Sequence, residues 1–413
     1  MSRPEAAADP RLAMIDGGYA WFRMVVSLLV SSFGSAGMWT IVVVLPAVQD
    51  EFGVDRSDAS MAYTTTMIGF GIGNMLIGRA VDRFGAVAPL LAGSVALGGG
   101  LVLAGLAHDF WTLVALQGAL IGFGAAASFA PLIADVSHWF VKRRGIAVAV
   151  VATGNYLGGA LWPILIGALM EFSGWRLAYL ASGAICLAAM VPMALLLSGR
   201  PPQSHAVAGR GPTGAAKSID IPPATLQWLL VIAGVACCVA MSMPQVHIVA
   251  LCSDLGFGVT AGAEMLALML FSGAFSRVAS GWLADRIGGV QTLLLGSVGQ
   301  CLALFLYLPF DGLMSLYAVS FIFGLSQGGI VPSYAVIIRE YLPSKDAGAR
   351  IGMVIMATII GMALGGWLSG WIYDLTGSYE AAFINGIAWN LLNMGIMVLL
   401  LWRTDERRRM AAA

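Results

Sequence analysis

Gly78-Arg79-Ala80-Val81-Asp82-Arg83-Phe84-Gly85 and, 203 residues later, Gly281-Trp282-Leu283-Ala284-Asp285-Arg286-Ile287-Gly288 are two copies of one pattern, G-x-x-x-D-R-x-G, each closing an apolar hairpin. The likeness extends outward from the turns. Gly154 followed by Gly158-Gly159 recurs as Gly361 followed by Gly365-Gly366. Ala130-Pro131 recurs as Val331-Pro332, and Phe172-Ser173-Gly174-Trp175 loosely as Thr376-Gly377-Ser378-Tyr379. The two halves of the chain are copies of each other.

Of 413 residues, 59% are apolar and only 11% charged, and the mean hydropathy is +0.85. A soluble domain carries about 25% charge, so this composition excludes a soluble monomer. Runs of about 20 apolar residues cross a bilayer as helices. Twelve are expected: 22–48, 60–79, 86–107, 111–135, 144–170, 176–198, 226–251, 262–283, 289–310, 313–338, 349–373 and 381–402. The fold class is therefore an all-α membrane protein of twelve transmembrane helices in two pseudo-symmetric six-helix bundles. The bundles are expected at 1–198 and 226–413. Between them 199–225, with Pro201, Pro202, Pro212, Pro222 and Pro223, reads as a flexible cytosolic linker. Two like apolar halves meeting at a central site are the plan of a secondary transporter.

Charge placement fixes the expected orientation. Of the 22 lysines and arginines, nineteen fall on one side: the amino-terminal tail through Arg23, the even-numbered connections and the tail with Arg407-Arg408-Arg409. Arg56 and Arg176 fall on the other side, and Arg277 lies within a span. Basic loops stay in the cytosol, so both termini are expected there. The first apolar run is too long for a cleavable signal peptide. The five cysteines lie in or beside apolar runs without metal-site spacing and read as small packing residues. No cofactor, metal or nucleic-acid motif is present. Gly69-Phe70-Gly71-Ile72-Gly73 and the glycines from Gly361 to Gly370 are helix-packing seams, not phosphate loops, since no strand precedes them and no Lys-Ser/Thr follows.

The twelve spans, the linker and the doubled G-x-x-x-D-R-x-G turn resemble the major facilitator superfamily. Within it, Asp16-Gly17-Gly18-Tyr19-Ala20-Trp21 and Trp139-Phe140-Val141-Lys142-Arg143-Arg144-Gly145-Ile146-Ala147 are similar to two motifs of the monocarboxylate transporter branch. Pro244-Gln245-Val246-His247, with Asp254-Leu255-Gly256 after it, resembles helix 7 of bacterial members and of oxalate–formate exchangers. The resemblance implies that Arg277 is the carboxylate-binding arginine of helix 8. It also implies that Gly78, Asp82, Arg83 and Gly85, with Asp285, Arg286 and Arg144, form a conformational latch. The chain departs from the pattern twice. Gly273 stands where animal members carry an aspartate, and between Ala349 and Tyr373 the only cation is Arg350 at the cytosolic edge. An Asp–Arg coupling pair and a two-cation dicarboxylate clamp are therefore not expected.

The acidic residues all fall in loops, tails or helix ends. Two ionisable groups remain in the membrane interior. Arg277 lies some 20 Å from the outer end of its span at ~1.5 Å per residue. Its insertion costs about 2.5–3.5 kcal/mol, which an anionic substrate held in a bidentate fork offsets. The alternative is a structural strut on helix carbonyls. His247 can carry a proton or bond a carboxylate, or it simply bonds a neighbouring helix. Cavity-lining helices 1, 4, 7 and 10 of such a fold add Trp39, Gln117, Gln327 and Tyr334. Asn155 and Tyr156 lie beside the helix 5 glycine seam.

The expected function is secondary active transport of a small organic anion, a monocarboxylate, proton-linked by symport or by exchange. The protein is expected to act as a monomer in a plasma membrane of bacterial inner-membrane type. An exporter of amphiphilic compounds is the alternative, and a non-transporting sensor a remote one. An enzyme is not expected, because no HExxH motif, G-x-S-x-G elbow or paired intramembrane carboxylates occur.

Overall fold

The computed structural model describes residues 14–198, 219–309, 311–343 and 346–412, apart from the side chains of Asp82 and of residues from 405 onward. Most of the expected linker, with the amino-terminal tail and the side chains of Arg407-Arg408-Arg409, lies outside the described residues. The described residues form helices and connections, with no strand among them.

Twelve rods follow one another. They are α1 (Gly18–Phe52), α2 (Arg56–Phe84), α3 (Val87–Gly105), α4 (Phe110–Trp139), α5 and α6 within Arg144–Leu196, α7 (Pro223–Asp254), α8 (Gly258–Ile287), α9 (Gly289–Leu306), α10 (Leu313–Tyr341), α11 (Ala347–Thr376) and α12 (Tyr379–Ala412). Arg144–Leu196 is 53 residues without a gap, far longer than a bilayer is thick. Gly174 divides it, with φ 74° and ψ 173°. Most rods run past the expected spans by about a turn, because polar residues at their ends continue the helix to caps. Asp109 is such a cap. Its carboxylate accepts from the Thr112 amide (2.8 Å) and hydroxyl (2.6 Å) at the start of α4, and these bonds hold its pKa below the usual carboxylate range.

The internal repeat has a structural meaning at each copy. Gly85 (φ 80°, ψ 172°) and Gly288 (φ 91°, ψ 164°) end α2 and α8 in the same positive-φ conformation, which glycine adopts without steric cost. Gly174 (φ 74°, ψ 173°) and Gly377 (φ 68°, ψ 11°) also turn at positive φ, in two different conformations one position apart in the repeat. Ala130-Pro131 and Val331-Pro332 restart two broken helices. α4 passes through a π-helical segment, Gln117–Gly122, and resumes as Ala130–Trp139, while α10 breaks after Gln327 and resumes as Ile330–Tyr341.

The glycine seams set the packing. A methyl on Gly158 would meet the Ser32 carbonyl of α1 at 2.1 Å, and one on Gly365 the Val239 carbonyl of α7 at 2.5 Å. So α5 lies on α1 and α11 on α7, in equivalent fashion. The second glycine of each pair faces the other bundle: Gly159 lies under Leu270 of α8, and Gly366 under Tyr63 of α2. The interface between the bundles is therefore α5 with α8, α2 with α11, and α1 with α7.

That interface is closed at the end opposite the termini, here the distal end. Asp374, at the end of α11, accepts from the backbone amides of Arg56 (2.9 Å) and Ser57 (2.8 Å) and so caps α2 from the other bundle. The Arg56 guanidinium donates to Asp254 (3.2 Å) and Tyr379 (2.5 Å) and lies over the Tyr373 ring. Thr260 of α8 donates to Glu171 of α5. Midway, a Cβ on Gly71 would stand 3.1 Å from Met356 Sδ of α11. Nearer the proximal end, a Cβ on Gly78 of α2 or Gly352 of α11 would meet nothing within 4 Å.

Candidate functional site

Under the distal closure lies a cavity of about 240 Å³ between the bundles. Its wall is mostly apolar, with Met38, Met67, Phe70, Phe129, Leu270 and Ile359 among its lining. Seven polar side chains interrupt it on facing helices: Trp39, Tyr63, Asn155, Tyr156, Gln245, Arg277 and Thr358.

Arg277 is half-buried. Its Nη1 donates to the Ala152 carbonyl of α5 at 3.3 Å, and its guanidinium lies 4.7 Å from the centroid of Tyr156. No carboxylate of the described residues is paired with it, and its Nε has no partner. A guanidinium has five N–H donors, so one long bond to a carbonyl leaves most of them for a ligand. Gly273 explains the arrangement. A Cβ there would stand 2.7 Å from Tyr156 Cε1, so a side chain at this position would displace the ring on which Arg277 rests. A cation–π contact occupies the place in which an acid would stand.

The structure brings Arg277, Trp39, Asn155 and Tyr156 together. The other four expected residues lie behind the wall. Gln117 accepts from Thr66 (2.9 Å) and donates to Tyr179, inside the first bundle. Tyr334 donates to Asn393 (3.1 Å), inside the second. Gln327 accepts from Gln245 Nε2 (2.5 Å) and so touches the cavity only through that residue. His247, fully buried, lies under the distal closure. Its Nε2 is 2.8 Å from the Gly366 carbonyl and its Nδ1 3.4 Å from the Tyr379 hydroxyl. His247 thus adjoins the residue that Arg56 holds.

Tyr63 and Gln245 line the cavity although sequence reasoning gave them no such role, and Arg56, Asp254 and Asp374 close it. Arg56 carried a signal, being one of only two basic residues expected on the far side. The breaks in α4 and α10 also reach the cavity, through Phe129 and through Val331-Pro332. Half-helix amino termini at membrane depth favour negative charge.

The latch residues lie at the proximal end. Arg83 rests over Phe84 (5.2 Å to the ring centroid) and Arg286 over Trp282 (3.8 Å), Asp285 is exposed, and Arg144 donates to the Phe140 carbonyl (3.2 Å). The two motifs preceding α1 and α5 form one structure. The Asp16 carboxylate accepts from the amides of Val141 (3.3 Å) and Lys142 (3.1 Å), and Tyr19 and Trp21 pack edge-on against Trp139 and Phe140. Beneath them Arg23, fully buried, pairs with Asp135 of α4 at 2.7 Å and donates to the Leu197 carbonyl. Arg23 is thus an internal strut of the first bundle rather than a tail charge.

Two bundles of six helices around a central cavity, with repeat-related interfaces, define the transporter fold anticipated from the turns. The chain matches the Major Facilitator Superfamily over residues 27–349 and 265–412, and it belongs to that family. It is 28% identical to Monocarboxylate transporter 13 of Bos taurus, over 93% of this chain and 90% of that one. It is 28% identical to Monocarboxylate transporter 11 of Homo sapiens, over 92% and 83%, and 25% identical to a fujikurins efflux protein of Gibberella fujikuroi, over 87% and 79%. Among solved structures it resembles a bacterial homologue of the human lysosomal transporter Spinster in an inward-facing, unoccupied conformation. That likeness has a TM-score of 0.68 at 15% identity and covers 94% of this chain and 96% of that one. The nucleoside transporter NupG gives 0.71 at 12% identity, over 93% and 100%. The chain is a multi-pass membrane transporter and not an enzyme.

Proposed function

We propose that this transporter carries a small organic monoanion, a carboxylate, by alternating access, with Arg277 as the anchor of the charge. The observation that carries the reading is a cavity-lining guanidinium that has no acid partner among the described residues. The two relatives named as monocarboxylate transporters agree with it. With the termini cytosolic, the distal closure is the extracellular gate and the structure is inward-facing. Residues 1–198 and 226–413 are the rocking bodies, and the chain works as a monomer. The carboxylate moves together with a proton or in exchange for another anion. The predominantly apolar wall and the fungal efflux relative favour a second reading, export of amphiphilic compounds, which differs in cargo and direction rather than in mechanism.

Uptake into proteoliposomes decides between them. Counterflow of carboxylates, lost in Arg277→Ala and tested with and without an imposed pH gradient, is the expected result. Transport of neutral or cationic compounds alone would replace the carboxylate reading with the exporter reading.

A further inference from the structure

We infer that the cargo is an amphipathic monoanion with a hydrogen-bond acceptor at the end remote from its carboxylate, rather than a two- or three-carbon acid. The inference rests on Arg277 as the anion anchor and extends that reading to the remainder of the cavity.

The first ground is the lining. Arg277 is the one cation among the described residues of the wall, so a second carboxylate would be buried without a counter-charge. The surfaces around it are the side chains of Met67, Met241, Met362, Phe70, Phe129 and Leu270. Methionine adapts its shape to irregular apolar bodies. A space of about 240 Å³ lies just below the range that drug-sized ligands occupy, roughly 300–1,000 Å³, and is far more than an acid of two or three carbons fills. A very small acid would engage Arg277 and leave this wall uncovered.

The second ground is a pair of unused donors. Trp39 and Tyr63 line the same cavity at 4% and 0% exposure. The indole Nε1 and the phenol oxygen have no partner among the described residues. Buried polar groups are ordinarily hydrogen-bonded, and an indole N–H can only donate. Tyr63 can donate as well, so the group these two residues would meet is an acceptor: a ketone, ether, ester or amide carbonyl.

The third ground is depth. At ~1.5 Å per residue, Trp39 lies about 20 Å from the distal end of α1, and Arg277 about 28 Å from the distal end of α8. Tyr63, about 10 Å from the distal end of α2, and Trp39 thus stand nearer the distal closure than the guanidinium does, in one cavity whose lining includes Met38, Met67, Met241 and Met362. A ligand reaching both has its charge and its acceptor at opposite ends of an apolar body.

Two isosteric probes test this. Para-acetylphenylpropionate carries the acceptor, and para-isopropylphenylpropionate has the same shape without it. Acetate and succinate serve as small and doubly charged references. Binding is measured by titration calorimetry on the full chain in lipid nanodiscs. The acetyl probe should bind roughly tenfold more tightly than the isopropyl probe, and both more tightly than acetate or succinate. Tyr63→Phe and Trp39→Phe should each shrink the acetyl advantage, and Arg277→Ala should weaken binding of both aryl acids by roughly 30-fold or more. The wild-type comparison stands without any variant, so a misfolded substitution does not void the test. Equal affinity for the two aryl probes, with dependence on Arg277 intact, overturns this inference and leaves the anion anchor standing. So does acetate or succinate binding as tightly as the acetyl probe. If no carboxylate binds, the anchor itself fails.

Discussion

Arg277 and Gly273 act as a pair. Removing a side chain at position 273 lets the Tyr156 ring move beneath the guanidinium, which then keeps its charge at membrane depth without an internal acid. On the proposed function, a ligand carboxylate is the counter-ion. Losing such a desolvated, charge-assisted pair costs on the order of 2–5 kcal/mol. Arg277→Ala should therefore weaken carboxylate binding by roughly 30-fold or more while the protein still inserts. Arg277→Lys keeps the charge but loses the planar fork and should fall between. Calorimetry on both variants checks this, and wild-type affinity in the alanine form would make Arg277 a strut. His247 bonds Gly366 and Tyr379 behind the cavity wall, so its expected effect is on opening of the distal closure. His247→Gln should alter the rate of transport and its dependence on pH while leaving substrate affinity within about twofold, a ~0.4 kcal/mol margin. An affinity loss like that of Arg277→Ala would place the imidazole in contact with substrate.

Helix ends decide which side of the cavity is shut. The first amides of α2 have no partner within their own helix, and they find one in Asp374 of the opposite bundle. A cap of this kind contributes about 1 kcal/mol, which corresponds to roughly a fivefold change in population. Asp374→Ala should shift the protein toward the distally open state. Spin labels at Val54 and Thr376, read by pulsed electron resonance, should show a longer distance populated at the expense of the short one. An unchanged distribution would mean that the Arg56 contacts with Asp254 and Tyr379 hold the closure by themselves. At the other end, Asp16 clamps the start of α1 to the α4–α5 connection, and Arg23 with Asp135 secures α1 to α4. Both tie the first bundle together as one of the two bodies of the proposed cycle. Removing one partner of a fully buried ion pair costs about 3–5 kcal/mol, so these residues belong to folding rather than to turnover.

At the scale of the molecule, the bonds from Arg56, Ser57 and Thr260 join the bundles at the distal end, and the doubled turn lies at the other end, the one that closes in the proposed cycle. Gly85 and Gly288 give both turns the same backbone, and Asp82 and Asp285 stand at equivalent places in them. Asp82→Asn should slow conformational exchange without changing equilibrium substrate affinity. Comparing transport rate with calorimetric binding checks this, and a large affinity loss at normal turnover would count against a latch. The orientation is tested separately by a cysteine placed at Gly209. Labelling by an impermeant maleimide from outside intact cells would reverse the assignment of sides. Protection until the cells are permeabilised is the expected result.

Much of this architecture is a property of the chain read along its length. Apolar runs, helix-ending glycines and the one-sided distribution of basic residues act through burial in the bilayer, backbone sterics and membrane insertion, and none of these needs a distant partner. The repeat was legible for the same reason: each half satisfies the same local demands at Gly85 and Gly288 and at Pro131 and Pro332. The facing of each polar side chain was not. Gln117 and Tyr334 occupy spans of the right kind, yet they turn into their own bundles toward Thr66, Tyr179 and Asn393. Tyr63 and Gln245 turn into the cavity. A helix's rotation about its axis is settled by how its small residues seat against neighbours, so Gly158 on Ser32 and Gly366 under Tyr63 decide it. The distal gate was still further from view, since Asp374 and Arg56 are 318 residues apart in the chain. Only the packing of one bundle on the other makes a carboxylate at the end of α11 the cap of α2.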